Sequence, residues 1–254
     1  MIAGSDSSAG AGIQADLKTA QAFGVYAQTV ITAVTAQDTR GVQAVHAMPP
    51  DLVRAQIAAA LSDIGADAIK IGMLGNAAIA AAVADALENT RLPLVLDPVL
   101  VSTSGAALLD AAGMEILKAR LLPRTTLVTP NLPETKALVG ILPRTDDDYR
   151  SAAEWFAALG CPHVLFKDGH GEGQTVRDVL ADGDSGVLTP FVAPRQATRH
   201  THGTGCTLAT AIACGLAEKL SLAEAVARAQ VFVQDAIRTA PGLGGGHGPL
   251  NHLR

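Results

Sequence analysis

The sequence predicts an α/β protein with a mostly parallel sheet covered by helices on both faces. Three observations lead there. Short β-branched or apolar runs alternate with helix-length segments of 3.6-residue periodicity along the whole chain. Glycine, proline and polar capping residues punctuate that alternation. Apolar runs lead into polar residues, among them Gln37, Asp97, Glu134 and Lys167, as strands do when their carboxyl ends face a ligand.

Taken in order, Met1 to Ala3 is a scrap of strand entering a small-residue loop, Gly4 to Gly12. Ile13, Leu17, Ala20 and Phe23 then recur at helical spacing until Gly24. The loop lacks both the GxGxxG order of a dinucleotide fingerprint and the GK[ST] ending of a Walker A loop. Residues 28–34 predict a strand, followed by the polar run Thr35 to Thr39. Pro50 opens a helix through Ile64, residues 68–73 form a short strand carrying Lys70, and Asn76 caps a helix to Leu87. Residues 92–96 predict a buried strand ending at Asp97. A helix over 111–121, a strand over 126–129 and a short helix begun by Pro130 to Glu134 follow. Asp146, Asp147 and Asp148 complement the N-terminus of a helix through Leu159. Residues 163–166 predict a strand delivering Lys167, and 176–180 with 187–192 a hairpin around Gly183. One helix follows Gly203; another opens at Ser221, where Glu224 completes a capping box. Gly242 to Gly248 is a glycine-rich loop with the composition of a lid.

No change of composition marks a linker, so residues 1–254 are expected to form one domain. Hydrophobic residues make up 48% of the chain and charged residues 17%, below the roughly 25% usual for soluble domains, which points to a homo-oligomer. A net charge of -5 supplies no basic field for nucleic acid or anionic lipid. Cys161, Cys206 and Cys214 are odd in number and form no CxxC pair, so a reducing, cytoplasmic setting is expected. Neither a signal peptide nor a membrane span is expected.

The stretch most suggestive of chemistry is His202-Gly203-Thr204-Gly205-Cys206-Thr207. Small residues let backbone approach a ligand, and the helix start turns free amides and a positive dipole end toward an anion. The dipole is expected to lower the Cys206 thiol pKa and so supply a base or nucleophile. Taken by itself, GTGC is better explained as a glycine turn with an inert cysteine. Asp97 and Glu134 for Mg²⁺, Lys167 for phosphate charge and this helix start together make a phosphoryl-transfer inventory.

Several segments resemble the hydroxymethylpyrimidine/phosphomethylpyrimidine kinases of thiamine biosynthesis. They are residues 2–6, 10–19, 35–37, 70–74, 97–99, 129–134, 202–207 and 246–252, in the family's order over nearly the whole chain. The resemblance implies a ribokinase-like three-layer αβα sandwich, usually a homodimer. Its members move the γ-phosphoryl of ATP to 4-amino-5-hydroxymethyl-2-methylpyrimidine and then to the monophosphate. By position, Gly4, Asp16, Gln37 and Met73 are expected around the pyrimidine. Lys167 and Thr129 are expected near the nucleotide, and Glu134 and Asp97 near Mg²⁺. Gly203, Thr204, Gly205 and Cys206 are expected to form the anion hole, with Cys206 as base. Asp6-Ser7-Ser8-Ala9, Asp38 and Asp168 depart from the family pattern, and Asp168 is expected to pair with Lys167 or weaken nucleotide binding. Pyridoxal kinase of the same superfamily is the neighbouring alternative, and a non-catalytic pyrimidine-binding module the alternative of another class.

Overall fold

The structure, a computed structural model, describes residues 1–100, 108–169 and 173–253. Its strands are β1 (Ile2–Asp6), β2 (Val30–Asp38), β3 (Gly41–Ala47), β4 (Ile69–Ile71), β5 (Leu94–Leu96), β6 (Leu127–Val128), β7 (His163–Phe166), β8 (Thr175–Asp182) and β9 (Leu188–Pro194). They form one sheet in the order β3-β2-β1-β4-β5-β6-β7-β8-β9. From β2 to β7 every neighbouring pair is parallel, whereas β3 at one edge and β8 and β9 at the other are antiparallel. The chain winds outward from β1 in one direction and then from β4 in the other. That switch leaves a crevice at the strands' carboxyl ends.

Helices cover both faces. On one lie α2 (Pro50–Ser62), α3 (Ala77–Ala86), α4 (Ala111–Ile116), α5 (Leu132–Val139) and α6 (Asp146–Ala158). On the other lie α1 (Gly12–Ala22), α7 (Thr204–Ala217) and α8 (Leu222–Arg238). The period of two along a strand supplies both cores. Leu94 and Leu96 pack into the α2 to α6 layer and Val95 into the α7 and α8 layer, all fully buried. Each such side chain contributes about 1.5–3 kcal/mol. This is the α/β architecture with a mostly parallel sheet that the sequence predicts.

The differences from expectation are local. The first strand continues to Asp6, and β2 continues through the polar run to Asp38. The reason is β3, which the sequence reading missed: Asp38 Oδ1 accepts from the Arg40 and Gly41 amides and closes the turn onto it. The segment predicted as one helix over 111–121 is α4 followed by a π turn, Leu117–Leu121. Capping boxes start α5 (Asn131 with Glu134), α6 (Thr145 with Asp148) and α8 (Ser221 with Glu224). No helix among the described residues is long and apolar enough to cross a membrane.

Candidate active site

The carboxyl ends of the central strands open into a cavity of about 640 Å³. Ten of the predicted residues line it: Gly4, Gln37, Met73, Asp97, Glu134, Lys167, Gly203, Thr204, Gly205 and Cys206. The convergence follows from the topology, since β1, β2, β5, the start of α5 and the start of α7 all end at this crevice.

Gly203 caps α7 with φ of +86° and no side chain caps the helix; the Thr204 amide turns back to the Thr201 carbonyl at 3.3 Å, and residues 203–206 line the cavity. A Cβ on Gly203 would fall 1.9 Å from the Gly10 carbonyl oxygen, so only glycine lets the two loops meet. A Cβ on Gly205 would lie 3.2 Å from Asp97 Oδ2 and 3.3 Å from Lys167 Nζ. An anion bound at the helix start would lie beside both groups.

Lys167 Nζ donates to Asp97 Oδ1 at 2.7 Å, and Thr129 Oγ1 donates to the same oxygen at 3.1 Å. Thr129 is fully buried behind Asp97 and does not itself line the cavity. Lys167 pairs with Asp97 rather than with Asp168, whose amide instead donates to Asp178 Oδ1 at 2.9 Å. Burial works against the Lys167 ammonium, but Asp97 and Glu134 outweigh it and raise its pKa. The α5 capping box fixes Glu134, whose Oε2 accepts from the Asn131 amide at 2.8 Å. Burial raises Glu134 to about 7, Lys167 opposing and Asp97 adding to the effect. Among the described residues no cluster of three or more His, Cys, Asp or Glu side chains stands ready for a metal ion. Two carboxylates nevertheless fit Mg²⁺, a hard cation that takes its remaining ligands from waters and phosphates.

Asp16 is fully buried and does not itself line the cavity: both its oxygens accept from Lys70 Nζ at 2.9 and 3.0 Å and Oδ1 accepts from Thr210 Oγ1 at 2.7 Å, close enough to act electrostatically on Cys206. The cause is Lys70, a β4 lysine with no exposure, which needs a buried counter-ion. Burial works against the Lys70 ammonium, but Asp16, Cys206 and Asp97 outweigh it and raise its pKa. The Cys206 thiol differs from the lowered pKa expected of it: burial, with Asp16 and Asp97, raises it above the ordinary value, although Lys70 and the Gly12 amide oppose the rise.

At the β1 and β2 end, a Cβ on Gly4 would lie 3.0 Å from Met73 Sδ, so Gly4 makes room for that side chain. Beside Gln37 lies a contact that the sequence did not foretell. His202 Nε2 lies 2.8 Å from Asp6 Oδ2 and 3.3 Å from Gln37 Nε2. Burial alone would raise the Asp6 pKa, but hydrogen bonds from His202 and Ser8 outweigh it and lower it. Only the presence of Asp and His in glycine-rich loops hinted at this contact. Arg195, also unforeseen, donates to the Asp168, Gly169, Gly173 and Thr175 carbonyls and ties β9 to the segment after β7.

A sheet switched at β1 and β4, with a helix N-terminus, two carboxylates and a lysine around one cavity, is the equipment of a phosphotransferase. Comparison with known proteins narrows the class. The family described as Phosphomethylpyrimidine kinase matches residues 6–251, and the chain belongs to that family. It is 48% identical over 251 residues to a Streptomyces coelicolor protein named hydroxymethylpyrimidine/phosphomethylpyrimidine kinase, covering 99% of this chain and 92% of that one. It is 47% identical to the Geobacter sulfurreducens thiamine biosynthesis bifunctional protein ThiED, over 99% of this chain and 51% of that longer one. A solved Bacillus subtilis pyridoxal kinase in complex with ADP is 36% identical, with a TM-score of 0.89 over 99% of this chain and 95% of its own.

Proposed function

We propose that the protein transfers the γ-phosphoryl of ATP to 4-amino-5-hydroxymethyl-2-methylpyrimidine and then to the resulting monophosphate, giving the diphosphate used in thiamine biosynthesis. The observation that carries this reading is the single cavity holding Gln37 and Met73, the Gly203 to Cys206 turn, and Lys167 with Asp97 and Glu134.

In the first step the substrate hydroxyl oxygen bonds to the γ-phosphorus, the bond to the ADP oxygen breaks, and the hydroxyl proton leaves to a base. Gln37 and Met73 hold the ring, and the Gly203 to Cys206 turn, through the amides of Gly203, Gly205 and Cys206, stabilises the transferring group's charge. Lys167 offsets phosphate charge. Asp97 and Glu134 are the groups to hold Mg²⁺, which when bound neutralises the phosphates. Cys206 accepts the proton. Because burial keeps the thiol protonated at rest, only its ionised fraction serves, and Lys70 beneath it favours that fraction. In the second step the attacking oxygen belongs to a phosphate whose second pKa is about 6, and no base is needed.

Incubating the protein with ATP, Mg²⁺ and the pyrimidine alcohol should give the mono- and diphosphates by mass spectrometry. Absence of both products overturns the reading. Likeness to a pyridoxal kinase favours pyridoxine as a second acceptor, and parallel turnover assays rank the two. A homodimer in the cytoplasm belongs to the same proposal. Its support is the exposed Val34 and Val45 on the β2–β3 hairpin and three free cysteines. Light scattering tests the dimer.

A further inference from the structure

The contact between His202 and Gln37 poses a donor–acceptor question with one consistent answer. Asp6 is buried and its carboxylate is only an acceptor, taking hydrogen bonds from the Ser8 and Ala11 amides and the Ser8 hydroxyl as well as meeting His202 Nε2 at 2.8 Å. His202 Nε2 therefore carries a hydrogen whether the ring is neutral or charged. That hydrogen faces Asp6 and, at 3.3 Å, one end of the Gln37 amide. An amide nitrogen at that end sets two donors against each other. At the other end Thr35 Oγ1 lies 3.0 Å from the Ser5 carbonyl oxygen and 3.2 Å from Gln37 Oε1; its single hydrogen serves one of them, and placed on the nearer Ser5 oxygen it leaves a lone pair for the amide. A half turn about the Cγ–Cδ bond satisfies both ends at once.

We infer that His202, held by Asp6, is a positioning residue that fixes Gln37 with its carbonyl oxygen toward His202 and its amide nitrogen toward Thr35, and so sets which substrate edge the site accepts. Resting here on the proposed function, the match is specific. In the aminopyrimidine the exocyclic amine neighbours the carbon bearing the hydroxymethyl group, and the ring nitrogen lies beyond it. His202 directly precedes the Gly203 to Cys206 turn where that hydroxymethyl group is placed. The carbonyl end then meets the amine, and the nitrogen end meets the ring nitrogen. Two backbone features hold the ring of His202 in place. A Cβ on Gly10 would come within 2.4 Å of His202 Cδ2, so only glycine leaves the ring its seat. The His202 amide donates to the Gly248 carbonyl at 3.2 Å, so the glycine-rich tail braces the residue.

The test has a structural and a kinetic arm. In NMR spectra of protein with labelled glutamine side chains and threonine methyls, the Gln37 amide signal is assigned by its loss in Gln37→Glu. Its protons should show a nuclear Overhauser effect to the Thr35 methyl; contacts to the His202 ring protons instead overturn the inference. In kinetics, His202→Met removes the donor, whereas His202→Gln places an amide nitrogen where Nε2 was. His202→Met should raise KM for the pyrimidine alcohol by roughly 10-fold, with KM for ATP unchanged, and His202→Gln should recover most of the loss. It should also narrow the preference for the aminopyrimidine over pyridoxine. Equal KM values for wild type and His202→Met, or equal damage in both variants, overturn the inference. A wild-type protein that turns over no pyrimidine alcohol overturns the proposed function alone, and the NMR contacts then decide the orientation of Gln37 independently.

Discussion

Lys70→Met is the sharpest perturbation of the fold. Methionine keeps the side-chain length but removes the ammonium, leaving Asp16 with no exposure, the Thr210 hydroxyl as its hydrogen-bond donor and only the longer-range pull of the Met1 ammonium among the described residues. The surroundings leave no slack: a Cβ on Gly72 would lie 2.8 Å from Lys70 Nζ. Breaking one side of a buried pair costs about 3–5 kcal/mol, because the surviving charge is uncompensated. At about 2–4 °C per kcal/mol for a chain near this size, Tm should fall by roughly 6–20 °C. Adding Asp16→Leu removes the stranded carboxylate and should recover most of the loss, since apolar replacement of a buried pair is often close to neutral. Urea unfolding at pH 7, followed by far-ultraviolet circular dichroism with m-values compared, measures both variants. A single variant costing under about 1 kcal/mol, or a double variant no better than the single, refutes the claim that this pair is a mutually dependent unit.

Other outcomes follow from the cavity. Cys206→Ala should slow phosphorylation of the alcohol far more than of the monophosphate, and equal losses in single-turnover rates count against a base. Because the thiol pKa is raised, wild-type alcohol transfer should also speed up as pH rises through and beyond the ordinary cysteine range, and Cys206→Ala should lose that slope. Glu134 is raised from 4.5 to about 7, so in metal-free protein the folded state holds the extra proton. Its contribution is full below the unfolded value and is lost as pH climbs between those limits; Glu134→Gln should remove up to about 3 kcal/mol of that decline, read by urea titrations at several pH values. His252 has the opposite sign: burial, with Lys18, lowers it from 6.5 to about 4, so stability falls as pH drops through that window. His252→Gln should flatten the fall, of order 2 kcal/mol, in the same titrations.

Most of the architecture was legible because periodicity and caps act locally. The β7 range was read residue for residue, and Asn76 caps α3 with its side chain accepting from the Ile79 amide. β3 was missed because its alternation is muted: Val42, Ala44, Val45 and Ala47 lie on a largely solvent-facing edge, and pairing rather than burial makes it a strand. The cavity residues were legible as strand-end polar groups, but their partners were not. Nothing in the sequence separates Asp16, which answers Lys70 from another element, from a ligand-facing carboxylate. Thr129 behind Asp97 raised the same difficulty. Nor does sequence weigh desolvation against the neighbouring charges at Cys206. That balance needs the depth at which the thiol lies.

The backbone meeting of Gly10 and Gly203 bears on how the protein comes to life on the ribosome. The first loop is synthesised early and must wait for almost the whole chain before its counterpart exists. A nascent or truncated polypeptide that stops short of α7 has the strand ends of β1 and β2 but lacks the Gly203 turn that meets them, so the cavity is completed in one late closure.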